Sequence, residues 1–148
     1  MTPATGIRHE FVEFIPAKRE EDVLYVSIPF ATCVHSCFCG CGTKVVTPLS
    51  PVGWQLFFDG ETVSLTPSVG NWSFDCQSHY WVERNSVRWA AGWSRQQIED
   101  NRLRDQSAKE RYYGVDGRGP VSLETKSVKT RSRQGLLSRF SKWLSGGK

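Results

Sequence analysis

No run of 18 or more apolar residues occurs in the 148-residue chain, so no segment reads as a membrane-spanning helix. The N-terminus lacks the basic, apolar and small-residue succession of a secretory signal. Together these absences lead to the expectation of a soluble cytoplasmic protein. There is no internal repeat. The helix motif H-E-x-x-H is missing, and so is the deaminase pattern H-x-E followed by P-C-x-x-C. Two familiar routes to a hydrolytic zinc are thereby closed. Histidine is scarce, at three residues, and the five cysteines are an odd number that fits a disulfide framework poorly. In a reducing cytosol, clustered cysteines point to metal ligation rather than to disulfides.

The cysteines are clustered. His35-Ser-Cys-Phe-Cys-Gly-Cys-Gly42 is followed, 35 residues after Cys41, by Cys76-Gln-Ser-His79. Cys37, Cys39 and Cys41 alternate with Phe38 and Gly40. In an extended segment their side chains point the same way, and Gly40 and Gly42 let the backbone curl until three sulfurs converge. Cys76 supplies the fourth. A site of four cysteines, or of three and a histidine, suits a closed, structural zinc. Sulfurs that neutralise the metal and fill its coordination shell leave little room for an activated water. A three-ligand site with an open position is the alternative, with His35 or His79 as the ligand in question. Cys33 falls outside the rhythm and reads as a small core residue.

Charge divides the chain. Residues 1–93 carry six Lys/Arg and nine Asp/Glu, net −3, whereas residues 94–148 carry 13 and six, net +7. The first part reads as β-rich. Phe11 to Ile15 alternates, and Asp22 to Pro29 is β-branched and aromatic. Trp54–Phe58 and Thr62–Leu65 flank Asp59-Gly60, a two-residue hairpin signal. Tyr80–Val82 and Ser86–Trp89 suggest a second hairpin. Five of the six tryptophans lie between positions 54 and 93, and their ordinary reading is core and edge packing.

Past Gly92, Ser94 is an N-cap candidate with acidic residues near the first turn, which predicts a helix from about 95 to 112. Residues 114–130 read as linker. Arg133 to Ser145 places Leu136, Leu137, Phe140, Trp143 and Leu144 on one face, an amphipathic helix with a basic far side. Such a helix suits its own domain, a protein partner, a second copy of the chain or an anionic surface. No nucleic-acid-binding motif accompanies its charge. The expected architecture is mainly β: a small zinc-containing domain at 1–93, with a basic helical extension at 94–148.

Ser68 lies in Thr66-Pro-Ser-Val-Gly-Asn-Trp72, which reads as a strand ending in a tight Pro/Gly turn. There the amides of Val69, Gly70 and Asn71 would form a small anion nest. His79 follows 11 residues later. A serine with a histidine base is the minimum for acyl transfer. Equally, turn serines are common and a lone histidine is ordinarily structural. Ser78, beside His79, is the other nucleophile candidate, a poorer one because neighbours on a strand face opposite ways.

Taken together, Cys37-Phe-Cys-Gly-Cys-Gly42, Thr47-Pro-Leu-Ser-Pro51 with Trp54, Val63-Ser-Leu-Thr-Pro-Ser-Val-Gly-Asn-Trp72, and Cys76-Gln-Ser-His-Tyr-Trp-Val82 with Trp89 resemble a bacterial family. It is the small domain, once of unknown function, that accompanies ubiquitin-like conjugation operons. The resemblance spans roughly residues 8–93 and leaves out the basic tail. It implies a peptidase that processes or removes the ubiquitin-like modifier, with Ser68 as nucleophile, His79 as base, and zinc on Cys37, Cys39, Cys41 and Cys76. Phe38 stands where the family pattern has proline. Two further readings stay open: a zinc-dependent metallopeptidase on the same conjugates, and a non-enzymatic zinc module that binds the modifier.

Overall fold

The computed structural model describes residues 3–114. The segment expected to form the amphipathic C-terminal helix, and all but the first residue of the expected linker, lie outside the described residues. Eight strands and one helix follow in chain order: β1 Arg8–Phe11, β2 Val23–Ser27, β3 Thr32–Ser36, β4 Lys44–Pro48, β5 Gln55–Phe58, β6 Val63–Gly70, β7 His79–Glu83, β8 Ser86–Trp89 and α1 Arg95–Tyr113. They make two four-stranded sheets, ordered β1-β2-β3-β4 and β5-β6-β7-β8. The expected mainly β architecture with a helical extension is what the structure shows.

One core joins the sheets. Leu24, Val26, Cys33 and Val45 from the first meet Val63, Leu65, Val69, Tyr80, Val82 and Val87 from the second. The alternation in β4 (Val45 and Thr47 buried, Lys44 and Val46 exposed) marks a strand with one face in the core. β2 is buried at all five positions. Its second face is covered by the segment after β1: Ser27 donates to the Glu13 carbonyl at 2.6 Å, and the Tyr25 hydroxyl accepts from the Glu20 amide at 3.2 Å.

Several local expectations need correction. Phe11 to Ile15 is not the first strand: pairing stops at Phe11, and Arg8–Phe11 runs parallel to β2. The β5–β6 turn is longer than two residues. Its register begins at Phe58 opposite Val63, and the Asp59 carboxylate closes the loop by accepting from the Glu61 amide and from the Thr62 amide and hydroxyl. A short acidic side chain that captures its own loop amides is an Asx turn, which competes with the tighter hairpin. The two-residue turn is instead Arg84-Asn85, both at positive φ, which matches the twist of the strands they join.

α1 starts as expected. Ser94 caps it and exchanges hydrogen bonds with Gln97, although no acidic residue falls in the first turn. It buries none of its residues. No helix among the described residues is long and apolar enough to cross a membrane.

Candidate active site and cysteine cluster

Cys37 to Cys41 are not in an extended segment. They form the loop between β3 and β4, where Gly40 (φ 85°) and Gly42 (φ 73°) take left-handed backbone that glycine adopts without strain. The loop folds back so that the sulfurs of Cys37, Cys39, Cys41 and Cys76 all lie within 4.8 Å of one another. Individual separations are 3.3 Å for Cys37–Cys39, 4.0 Å for Cys37–Cys76 and 3.7 Å for Cys41–Cys76. Sulfurs at the corners of a tetrahedron with bonds of about 2.3 Å stand about 3.8 Å apart. The cluster therefore has the donor set and the spacing to hold one metal ion.

Burial raises the Cys37 and Cys39 thiols, whereas hydrogen bonding from Thr43 draws the exposed Cys41 thiol down to about 6. That shift favours the Cys41 thiolate, the form that ligates metal.

The fifth cysteine is separate. Cys33 is wholly buried in β3, where desolvation pushes its thiol up to about 12 and keeps it neutral. Cys33→Ser should retain metal but lose about 1–3 kcal/mol of stability through burial of a hydroxyl, read from denaturant melts. His35, the spare ligand candidate, is also elsewhere. It is fully buried, stacks on Phe38 with ring centroids 4.2 Å apart, and bonds the Tyr80 hydroxyl through Nε2 at 2.8 Å. Burial lowers its pKa to about 3, so the ring stays neutral.

Ser68 and His79 come together. Ser68 is not at a turn. β6 runs on to Gly70, and its register with β7 shifts between Leu65 and Val69, a bulge that contains Ser68. Bulges re-aim side chains. Gly70 lies opposite His79, and the missing side chain there leaves room for the Trp72 indole, against which the imidazole packs. The His79 Nε2–Ser68 Oγ distance is 2.9 Å, and His79 Nδ1 lies 3.0 Å from the Ala91 carbonyl oxygen. A carbonyl only accepts, so Nδ1 carries the proton and Nε2 presents its lone pair to the Ser68 hydroxyl. Hydroxyl, imidazole and main-chain carbonyl stand in a row with the geometry that a serine–histidine acyl transfer would need.

The imidazole is nearly buried, packed by Trp72, Trp81 and Trp93 at centroid distances of 4.9, 5.3 and 5.0 Å. These three tryptophans wall the site rather than fill the core between the sheets; Trp54 and Trp89 pack against that core. A cleft of about 290 Å³ opens beside Ser68, lined by Trp54, Trp72, Trp93 and His79 and by Asn101 and Arg102 of α1. Ser78 points the other way. Its hydroxyl lies 3.1 Å from the Cys37 sulfur and accepts from Asn71 Nδ2 at 2.9 Å. The four-residue segment from Cys76 to His79 thus fastens the cluster to the strand that carries the imidazole.

The expected anion nest does not form: the Asn71 amide donates to the Ser78 carbonyl, and Val69 is paired with Tyr80. Sequence reasoning also missed the Ala91 carbonyl and the role of the Asn71 side chain. Ala91 acts through its backbone, which leaves no signature in the sequence. A lone asparagine beside a glycine reads as a turn residue.

Fold and site together define a small mainly β protein with a serine–histidine pair on one sheet and a four-cysteine cluster whose Cys76 lies just before the strand that carries the histidine. Residues 11–90 match the family described as bacterial ubiquitination-like system serine protease (BubE), and the chain belongs to that family. No curated protein and no solved structure matches the chain.

Proposed function

We propose that the protein is a serine peptidase that processes or removes the ubiquitin-like modifier of its conjugation system. Ser68 is the nucleophile, His79 the general base, and Cys37, Cys39, Cys41 and Cys76 hold a structural zinc. The observation that carries this reading is the 2.9 Å contact between Ser68 Oγ and a His79 ring whose other nitrogen is fixed on the Ala91 carbonyl.

Chemistry follows from that arrangement. Ser68 Oγ attacks the carbonyl carbon of the scissile bond as its proton passes to His79 Nε2. The Ala91 carbonyl, a dipole aimed at Nδ1–H, favours the imidazolium that results. That imidazolium protonates the leaving amine, and an acyl group stays on Ser68 until water, deprotonated by the same nitrogen, releases it. Zinc, when bound to four thiolates, supplies a cross-link between the β3–β4 loop and the segment before β7. Neither His35 nor His79 belongs to the sulfur cluster, and that separation favours the serine reading over the metallopeptidase.

The direct test is mass spectrometry of the products formed from the operon's own modifier, as precursor and as conjugate. Release of the modifier at a single bond, blocked by a serine-directed phosphonate, is expected. Binding without turnover would leave the non-enzymatic module as the better reading.

We also propose that the tail serves recruitment rather than chemistry. α1 lines the cleft, so the minimal active unit extends through it. A chain ending at residue 114 should keep its zinc and cleave a small soluble substrate at an undiminished rate. Its association with a protein partner or a second copy should weaken, as read by light scattering. Loss of the fold on this truncation would show the tail to be part of the core.

A further inference from the structure

We propose that the peptide substrate binds by strand addition, pairing its main chain with the free edge of β6 between Pro67 and Gly70. The proposal rests on the peptidase reading of Ser68 and adds how the substrate is held. β5 pairs with β6 only from Val63 to Thr66, ending at Gln55 opposite Thr66. β6 continues for four more residues, to Gly70. Among the described residues no strand lies on that side of Pro67–Gly70.

The direction of the main-chain groups follows from two hydrogen bonds. The Asn71 amide donates to the Ser78 carbonyl at 2.9 Å, and the Ala90 amide donates to the His79 carbonyl at 2.9 Å. In an antiparallel ladder, bonded and non-bonded pairs alternate. The first bond makes Gly70–His79, the preceding pair, a non-bonded one. The second places the polar groups of His79 on the β8 side, which is the same conclusion reached from the neighbouring strand. The N–H and C=O of Gly70 therefore point away from β7, to the side that β5 has left.

That side is the cleft. Pro67, Ser68 and Gly70 line it together with Trp54, Trp72 and Trp93. A donor and an acceptor on one residue, at an open strand edge, are satisfied together by the backbone of an extended peptide. The aromatic walls then receive its side chains. Pro67 has no N–H to lose in such an edge, and proline is confined to edges and bulges for that reason. Gly70 cannot be enlarged cheaply: a Cβ there would stand 2.5 Å from Trp72 Nε1. An edge so close to the Ser68 hydroxyl would present one substrate carbonyl to it while bonding the rest in register.

The test uses a short peptide of the modifier's C-terminal sequence carrying a fluorogenic amide, cleaved by the full-length protein. Each backbone nitrogen of the peptide is methylated in turn. Methylation removes a donor, and in a strand only alternate amides face the edge. Losses in kcat/KM of about tenfold or more should appear at alternate positions, with the intervening ones little changed. Equal rates for all methylated peptides, with cleavage still abolished by Ser68→Ala, would overturn strand addition and leave the dyad intact. Cleavage of the parent peptide that survives Ser68→Ala would instead overturn the peptidase reading on which the proposal rests.

Discussion

Ser68→Ala is expected to reduce cleavage on the order of 10³-fold or more while leaving metal content and melting behaviour nearly unchanged. The two halves of this expectation have separate causes. Ser68 is half-exposed and makes one hydrogen bond, to His79, so its loss costs no more than about 1 kcal/mol of stability. Chemistry loses the atom that would form the acyl intermediate, and nothing beside it can substitute. Ser78 faces the cysteine cluster, with its hydroxyl held between Cys37 and Asn71.

His79 needs a different substitution. Alanine there would empty a nearly buried space among Trp72, Trp81 and Trp93 and cost about 2–4 kcal/mol, so lost activity would not be separable from lost packing. His79→Gln fills more of the volume and lacks the base. It should lose activity to a similar degree and keep its metal. Loss of metal in this variant would make His79 a ligand, although it is not a member of the sulfur cluster. Full activity in Ser68→Ala would remove the nucleophile assigned here. Single-turnover assays with metal analysis and thermal melts on the same preparations check all of these outcomes.

Cys37→Ser should lose metal and soluble yield together. Cys37 is buried, and its sulfur contacts Cys39, Cys76 and Ser78. It is also the most buried of the four cysteines and lies next to Phe38, which stacks on His35. Metal binding at such a site is folding free energy. Zinc-finger peptides gain about 10–16 kcal/mol from their metal at neutral pH, more than the whole stability of most domains of this size.

Losing one ligand therefore threatens the fold, not just the site. Cys41 is exposed, so Cys41→Ser should lose metal while more of the protein remains soluble. Metal analysis should find about one zinc per chain in the unsubstituted protein, because four sulfurs make one tetrahedral site. Chelation should then abolish cleavage and unfold the chain in parallel, followed by circular dichroism beside the activity assay. A metal-free preparation that stays folded and fully active would sink the structural-zinc proposal.

Local chemistry made much of this legible in advance. Three cysteines at alternate positions with two glycines, and a fourth far along the chain, pointed to a metal cluster without any coordinates. Ligand identity is a property of residue type, and the glycines announced a loop that could fold back. The β-rich composition and the Ser94 cap were readable for the same reason, since propensity and capping depend on near neighbours. Both expected hairpins form, and only the length of the first turn was misread, because Asp59-Gly60 is an acceptable two-residue turn in isolation. The Asp59 carboxylate, by seizing the Glu61 and Thr62 amides, made it the longer loop.

What the sequence determined by itself is the inventory: a tetrathiol set, a serine and a histidine within reach, a mainly β domain and a charged extension. Tertiary structure decided the arrangement. The bulge in β6, the place where β5 stops and the pairing of Gly70 with His79 are matters of register between strands. They turn Ser68 from a turn residue into a strand residue facing an imidazole. The orienting carbonyl of Ala91 and the tryptophan wall come from segments that meet only in the folded chain. Register and backbone direction are set by the packing of two whole sheets against one core, a sum over distant contacts that no local pattern of residues encodes.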